Sequence, residues 1–366
     1  MIRRYLPKSV DELASWYMRY ISPFALVAGF VLDNLILLRR VDLWSSHVLL
    51  FSYLAIAAGC IIAINLITSG RLQQPWLLKA TPLIPVVAQF AFGGLFSGYL
   101  SLYSRSAAFS VSWIFVILVA ALLLGNERFV RLYMKFAFQI SIFFTVLFSF
   151  LIFFLPIVFR QIGPYMFLAS GLASLALIAL FLSFLYRLVP EVVLQERTRV
   201  ARSIAAIFVV FNILYFTNAI PPLPLALKDA GVYHGVTRLP NGSYQLLAEP
   251  VPWYEAYLRY NTAFHRASGS TAYAYSAIFA PSGLSTIILH EWQRYDAEAG
   301  WVTTDTLRFP ILGGRDGGYR GYSIKTGITP GKWRVNVITQ YGQLIGRISF
   351  KAVDDPSADQ LEEIMR

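Results

Sequence analysis

The sequence predicts a membrane α-helical bundle of about seven transmembrane helices followed by an all-β sandwich of immunoglobulin-like type. Three observations carry this. The chain is 57% hydrophobic with 16% aromatics and only 14% charge, at a mean hydropathy of +0.56. Its apolar residues stand in blocks about 20 residues long, enough to cross a bilayer as a helix. After Pro221 these blocks stop, and short alternating runs separated by turn residues take their place. The expected division is therefore residues 1–222, helical, and 223–366, a water-facing β-domain.

Seven spans are read, over roughly 20–38, 47–67, 82–104, 108–125, 136–158, 164–186 and 203–220. Before the first, "SVDELASWYMRY" offers a capping box, Ser9 with Glu12. It predicts a short interfacial helix with Trp16, Tyr17 and Tyr20 at headgroup level. No small-residue cleavage site follows span one, so a removed signal peptide is not expected. The segments "GNERFVRLYMK" and "RLVPEVVLQERTRVAR" read as short basic surface helices that meet anionic lipid. In span three, Gly93, Gly94, Ser97 and Gly98 read as a close helix-packing face. The lone Cys60 reads as a small buried apolar side chain, and no intramolecular disulfide can form.

Charge sets the expected orientation. The formal net charge is +11, and the excess lies in the helical half, with 17 Lys and Arg against 7 Asp and Glu; the rest of the chain holds 14 against 13. Arg3, Arg4, Lys8 and Arg19 precede span one, and Arg71, Lys79, Arg128, Arg131, Lys135, Arg187, Arg197, Arg199 and Arg202 fill every second loop thereafter. The alternate loops hold Arg39, Arg40, Arg105 and Arg160. This positive-inside bias predicts a cytoplasmic N-terminus and an extracytoplasmic β-domain. A basic charge spread over membrane loops does not point to nucleic acid.

Prolines 221, 222 and 224 end the last span. Beyond them, "GVYHGVTRL", "SYQLLAE", "TAYAYSAIFA", "TIILHEWQRY", "GWVTTDTLRFPI", "YSIKTGI", "KWRVNVIT" and "QLIGRISFKAV" read as strands. Asn241-Gly242, Pro281-Ser282-Gly283, Gly313-Gly314 and Pro330-Gly331 read as turns between them. The tail "SADQLEEIMR", with Ser357 and Gln360 as a capping box, predicts a short C-terminal helix.

Chemistry-bearing residues are sparse. Asp33 with Asn34 forms the intramembrane polar pair, either an interfacial acid or a cation site. Gln89, Gln139, Asn65 and Asn212 are expected to hydrogen-bond between helices. No histidine pair has metal-ligand spacing, so no metal is expected, and no cofactor motif is present. The run "GGRDGGYRGYSIKTGITPGKWRV" is not a phosphate loop: Lys332 is followed by Trp333, and Thr326 stands where the first glycine belongs. Its glycines read as turns, and Arg315, Asp316, Tyr319, Arg320, Tyr322 and Lys325 become the candidate ligand contacts, because planar guanidinium grips carboxylate or phosphate at two points. A catalytic reading requires a cluster of Asp33, His47, His290 or Glu291 near a cleft at the membrane face.

"IPPLPLALKDAGVYH", "FAPSGLSTIILHEWQRYD", "GGRDGGYRGYSIK", "PGKWRVNVIT" and "GQLIGRISF", in that order over roughly 220–353, resemble the C-terminal domain of unknown function 2914. That domain is found in bacterial membrane proteins. The resemblance implies a bacterial, Gram-negative inner membrane with the domain in the periplasm, and it carries no catalytic residues over. The leading expectation is a non-catalytic protein presenting a periplasmic β-domain to a glycan, a lipid headgroup or a protein partner. A transporter or lipid-handling protein is the alternative, and an enzyme of envelope glycan or lipid modification the third reading. Membrane lipids are expected partners, and an oligomer is allowed.

Overall fold

The computed structural model describes residues 12, 30–31, 43–106, 109–250, 262–266, 269–355 and 361–366. Apart from Glu12, Phe30 and Val31, which are helical, the predicted span 20–38 and the interfacial helix lie outside the described residues, as do Asp33 and Asn34. Two compact units emerge: one takes Met1–Ser104, Trp113–Phe159 and Pro164–Ile220, the other Arg105–Ser112, Arg160–Gly163 and Pro221–Arg366.

The described part of the first unit is helical: α1 (Trp44–Thr68), α2 (Pro75–Ala80), α3 (Ile84–Ser106), α4 (Phe109–Gly125), α5 (Phe136–Phe159), α6 (Pro164–Leu188) and α7 (Pro190–Phe216). Among the described residues five helical runs are long and apolar enough to cross a membrane; Ser112–Gly125 is shorter. The central helix is α5, which packs against α1, α6 and α7 and buries Phe144, Phe148 and Phe153 completely. Polar side chains inside the unit are spent on neighbouring backbone and on each other. Asn65 Nδ2 donates to Gln139 Oε1 at 2.7 Å, joining α1 to α5, while Asn126 Nδ2 donates to the Gln89 carbonyl at 2.9 Å. Asn212, by contrast, bonds within its own helix, to the Phe208 carbonyl. Gly94 fits the expected packing face, since a methyl there would come within 2.6 Å of the Tyr53 ring on α1.

Two expected surface helices take other forms. The stretch Asn126–Met134 is a 3-10 helix in which Asn126 and Tyr133 are buried, the Tyr133 hydroxyl donating to Asn126 Oδ1. The basic segment after Pro190 is no separate helix but the first turns of the 27-residue α7. Proline at a first helical turn lacks only an N–H that would be unpaired anyway, so the helix starts there and runs on.

The second unit is built of strands: β1 (Ala226–Tyr233), β2 (Gly235–Arg238), β3 (Tyr244–Ala248), β4 (Ala263–Arg266), β5 (Ala272–Phe279), β6 (Ser285–Asp296), β7 (Gly300–Leu312), β8 (Tyr319–Lys325), β9 (Gly331–Thr339), β10 (Leu344–Asp354) and β11 (Glu362–Met365). They form sheets ordered β1-β5-β8, β4-β10-β9-β6-β7 and β11-β3-β2. Side chains from the first two share one core: Ala230, Val232, Ala272 and Ala274 meet Trp292, Trp333, Val335, Ile348 and Phe350.

The C-terminal helix is corrected. Residues 356–360 lie outside the described set, and Glu362–Met365 is a strand antiparallel to β3, with Ile364 opposite Leu246. A few residues cannot offset the cost of nucleating a helix, whereas an open strand edge offers ready partners. Arg366 and Tyr244 exchange backbone bonds of 2.9 and 2.8 Å, and the Arg366 guanidinium pairs with Asp229 at 2.7 Å. The short β4, parallel to β10, is also absent from the sequence expectation.

Candidate ligand-binding face

Successive side chains of a strand point to opposite faces. In β6, β9 and β10 this alternation sends Trp292, Val335 and Ile348 into the core and Glu291, Gln293, Arg334, Asn336 and Arg347 to the other side. Register aligns them into rows. Glu291 stands opposite Asn336, which stands opposite Arg347; Gln293 lies between Thr303 of β7 and Arg334 of β9, and Tyr295 pairs with Trp301.

The rows are cross-linked. Asn336 Nδ2 donates to Glu291 Oε2 at 2.8 Å and to Gln293 Oε1 at 3.2 Å. Arg347 Nε donates to Asn336 Oδ1 at 2.7 Å, Arg334 Nε to Gln293 Oε1, and Thr303 Oγ1 to Glu291 Oε1 at 3.1 Å. The Arg334 guanidinium lies 4.2 Å from the Trp301 ring centre, and Lys332 reaches the Tyr295 ring at 5.8 Å. Partial burial, followed by the charge of Arg347, lowers the Arg334 pKa, and burial lowers that of Arg347. Two guanidinium groups thus share the charge of one carboxylate, Glu291, with the Lys332 ammonium farther along β9 beside Tyr295. Among the described contacts each arginine hydrogen-bonds through Nε alone, leaving its two Nη groups as donors. A cationic, donor-rich lattice ending in two aromatic rings suits a polyhydroxylated, acidic ligand: rings stack on apolar C–H faces, and guanidinium binds carboxylate bidentately.

The opposite face holds His290, fully buried between Ser276 Oγ (2.8 Å from Nε2) and Ser323 Oγ (2.9 Å from Nδ1). Trp292 Nε1 donates to the same Ser323 hydroxyl at 3.0 Å. Burial lowers the His290 pKa to about 3, so the imidazole is neutral and serves as one donor and one acceptor.

The residues singled out in the sequence do not form one cluster. Arg315 lies over the Tyr319 ring at 5.6 Å, and Tyr319 packs on the core around Ile278 and Ile311. Tyr322 stands on the outward side of β8 beside Tyr273 and Tyr244. Arg320 offers only its carbonyl to the Tyr244 hydroxyl, at 3.4 Å, and Lys325 is bound to Asp305 of β7. Asp316 is exposed in the turn. Their glycines are turn formers: Gly318 has φ +84°, and a Cβ on Gly313 would sit 1.9 Å from the Pro281 carbonyl oxygen. Of the catalytic candidates, His290 and Glu291 face opposite sides of β6, and Asp33 lies outside the described residues.

A second polar cluster joins Glu249 to two histidines. His234 Nε2 donates to Oε1 at 2.6 Å and His265 Nδ1 to Oε2 at 2.7 Å, with the His265 backbone N–H also on Oε1. Burial works to raise the Glu249 carboxyl, but these bonds together hold it below its ordinary value. Both imidazoles point N–H groups at the carboxylate, which is an orienting arrangement rather than a ligand set. Among the described residues no group of three His, Cys, Asp or Glu could hold a metal.

Residues 285–352, from the start of β6 into β10, match the family described as Protein of unknown function (DUF2914). The chain carries a DUF2914 domain at its C-terminus. The match is narrower than the stretch on which the sequence resemblance rests, and it contains all the residues of the polar face. No curated protein matches the chain. Among solved structures, the chain is similar to the Pseudomonas fluorescens alkylpurine DNA glycosylase AlkC bound to DNA containing an abasic site analog, at 11% identity over 84% of this chain and 99% of that one. The TM-score of 0.22 is too low to carry any argument about this chain.

Proposed function

We propose that this protein is a multi-pass protein of a bacterial inner membrane that presents a periplasmic β-sandwich, and that the outer face of the five-stranded DUF2914 sheet binds an acidic envelope glycan without catalysing a reaction. The observation that carries the reading is the in-register lattice of Arg334, Asn336, Arg347, Glu291 and Gln293 beside Trp301 and Tyr295. The sandwich reading is supported by the core shared between the β1-β5-β8 and five-stranded sheets. The orientation is supported by the asymmetry of Lys and Arg between alternate loops.

Titration of detergent-purified full-length protein with a soluble oligouronate, against a neutral dextran, tests the ligand. Binding of the oligouronate alone is expected, with loss in Arg334→Ala/Arg347→Ala. Equal binding of both sugars, or of wild type and variant, overturns the reading. Orientation has its own test: in a Cys60→Ala background, Asn241→Cys is expected to react with a membrane-impermeant thiol reagent in cells whose outer membrane alone is permeabilised. The lipid-handling alternative is favoured by one observation, an apolar cavity of about 560 Å³ lined by Val48, Phe51, Leu147 and Phe154.

A further inference from the structure

A second cavity in the helical unit has a different character. It measures about 480 Å³ and runs between α6 and α7, where Ala179, Ala201 and Ala205 leave the two helices short of side-chain volume. Every residue lining it is apolar except Arg197. From Arg197 to Phe208 along α7 is 11 residues, or about 16 Å at 1.5 Å per residue. That is about half the ~30 Å hydrocarbon core, the depth of one leaflet. The inner end is shut: a methyl on Gly171 of α6 would come within 2.9 Å of the Phe208 ring.

Arg187 of α6 is exposed and lies outside the slot lining, and the other charged groups near Arg197 are engaged elsewhere. Arg199 pairs with Glu196 at 2.9 Å, Arg71 with Glu191 at 3.3 Å, and Arg202 Nε reaches the Thr198 carbonyl at 3.4 Å. Arg197 is exposed, and among the described residues no carboxylate lies within ion-pair distance of it. An exposed cation on the rim of an apolar slot that runs on about 16 Å from it to Phe208 matches an amphiphile with an anionic head and a single chain to bury. Basic pockets between membrane helices hold anionic lipid headgroups on this physical ground.

We propose that the α6–α7 groove seats one acyl chain of an anionic phospholipid, with its headgroup phosphate held by Arg197. A zwitterionic lipid offers the arginine the same phosphate but with a cation beside it, so its net attraction is weaker, and a protein helix is too wide for a slot between two adjacent helices. The proposal rests on the reading that these helices cross a bilayer, and it is independent of the glycan-binding face.

The test is native mass spectrometry of the full chain released from phosphatidylcholine nanodiscs containing a minority of phosphatidylglycerol. Wild type is expected to retain phosphatidylglycerol in preference to phosphatidylcholine. Arg197→Ala should cut that preference about fivefold, the effect of one basic residue near an anionic lipid, and Arg197→Lys should keep most of it. Ala201→Phe, which fills the slot and leaves the arginine in place, should lose the retained lipid; Ala205→Phe serves if the first variant fails to fold by size-exclusion. An unchanged preference in Arg197→Ala, equal retention of both lipids, or full retention in the folded slot-filled variant overturns the proposal. So does a lipid-free dimer. Alkaline carbonate extraction separates the two failures: release of the chain from membranes overturns the bilayer reading, whereas a resistant chain without lipid preference overturns only this site.

Discussion

The two faces of β6, β9 and β10 are made by the same residues in alternation, yet they solve opposite problems. The inner face buries Trp292, Val335, Ile348 and Phe350, and besides the hydroxyls of Thr286 and Thr339 it admits His290, with a hydroxyl on each ring nitrogen. The outer face gathers five polar or charged side chains whose bonds to one another hold them in fixed positions while donors remain for a ligand. One face therefore carries the stability of the domain, and the other its recognition chemistry. A change on the inner face should be read in unfolding, and one on the outer face in binding.

The largest break is Trp292→Ala. It removes a fully buried ring and should destabilise the β-domain by about 3–5 kcal/mol, visible as a lowered denaturant midpoint. Next comes acid. His290 is neutral in the folded protein down to about pH 3, whereas an unfolded histidine takes up a proton near pH 6.5. Its depressed folded pKa means that stability is whole above pH 6.5 and is lost as pH falls toward 3, at up to about 1.4 kcal/mol per pH unit. Glu249, also held low, adds its loss only below its ordinary carboxylate range, so the window between pH 6.5 and 5 separates His290 from that carboxylate. His290→Gln should flatten the midpoint across that window; an unaltered slope would show that another group sets it.

Ser323→Ala sharpens the comparison in between. It leaves the Trp292 indole N–H and one His290 nitrogen without their partner, and should cost about 1–3 kcal/mol with binding intact. Trp301→Ala on the outer side should behave in reverse. Its midpoint should shift little, while oligouronate affinity drops about tenfold, equivalent to about 1.4 kcal/mol. The smallest effect belongs to Thr303→Ala at the exposed rim, expected within about 0.5 kcal/mol of wild type in stability. Should Trp301→Ala unfold the domain, or Trp292→Ala leave it stable, the division of labour between the faces fails.

Much of this architecture is legible in the chain. The apolar blocks give the described long helices to within a few residues, except α7, whose basic first turns start it 13 residues before the predicted span, because a helix long enough to cross a membrane is recognised by being apolar all round. The longer β-strands follow from period-two alternation and from glycine turns such as Gly313 and Gly318, where backbone contact or positive φ excludes other residues. The four-residue β4 and β11 carry too few alternations to register, and the second depends wholly on the open edge of β3. The polar face had a visible trace in Glu291–Gln293 and Arg334–Asn336, but alternation does not reveal which strands are neighbours. Arg315 to Lys325 stands out instead as a continuous glycine-rich, basic and aromatic run, but the fold sends its side chains in different directions.

Composition and periodicity alone determined the helical half, the β half and the turns, because hydrophobic spacing and glycine conformation are local properties of the chain. Which polar residues stand together was decided only by tertiary structure. Arg334 meets Gln293 across 41 positions and Asn336 meets Glu291 across 45, through a strand register that is settled by burying the opposite face. The slot beside Arg197 likewise exists only because two helices, each unremarkable in sequence, pack with alanines between them.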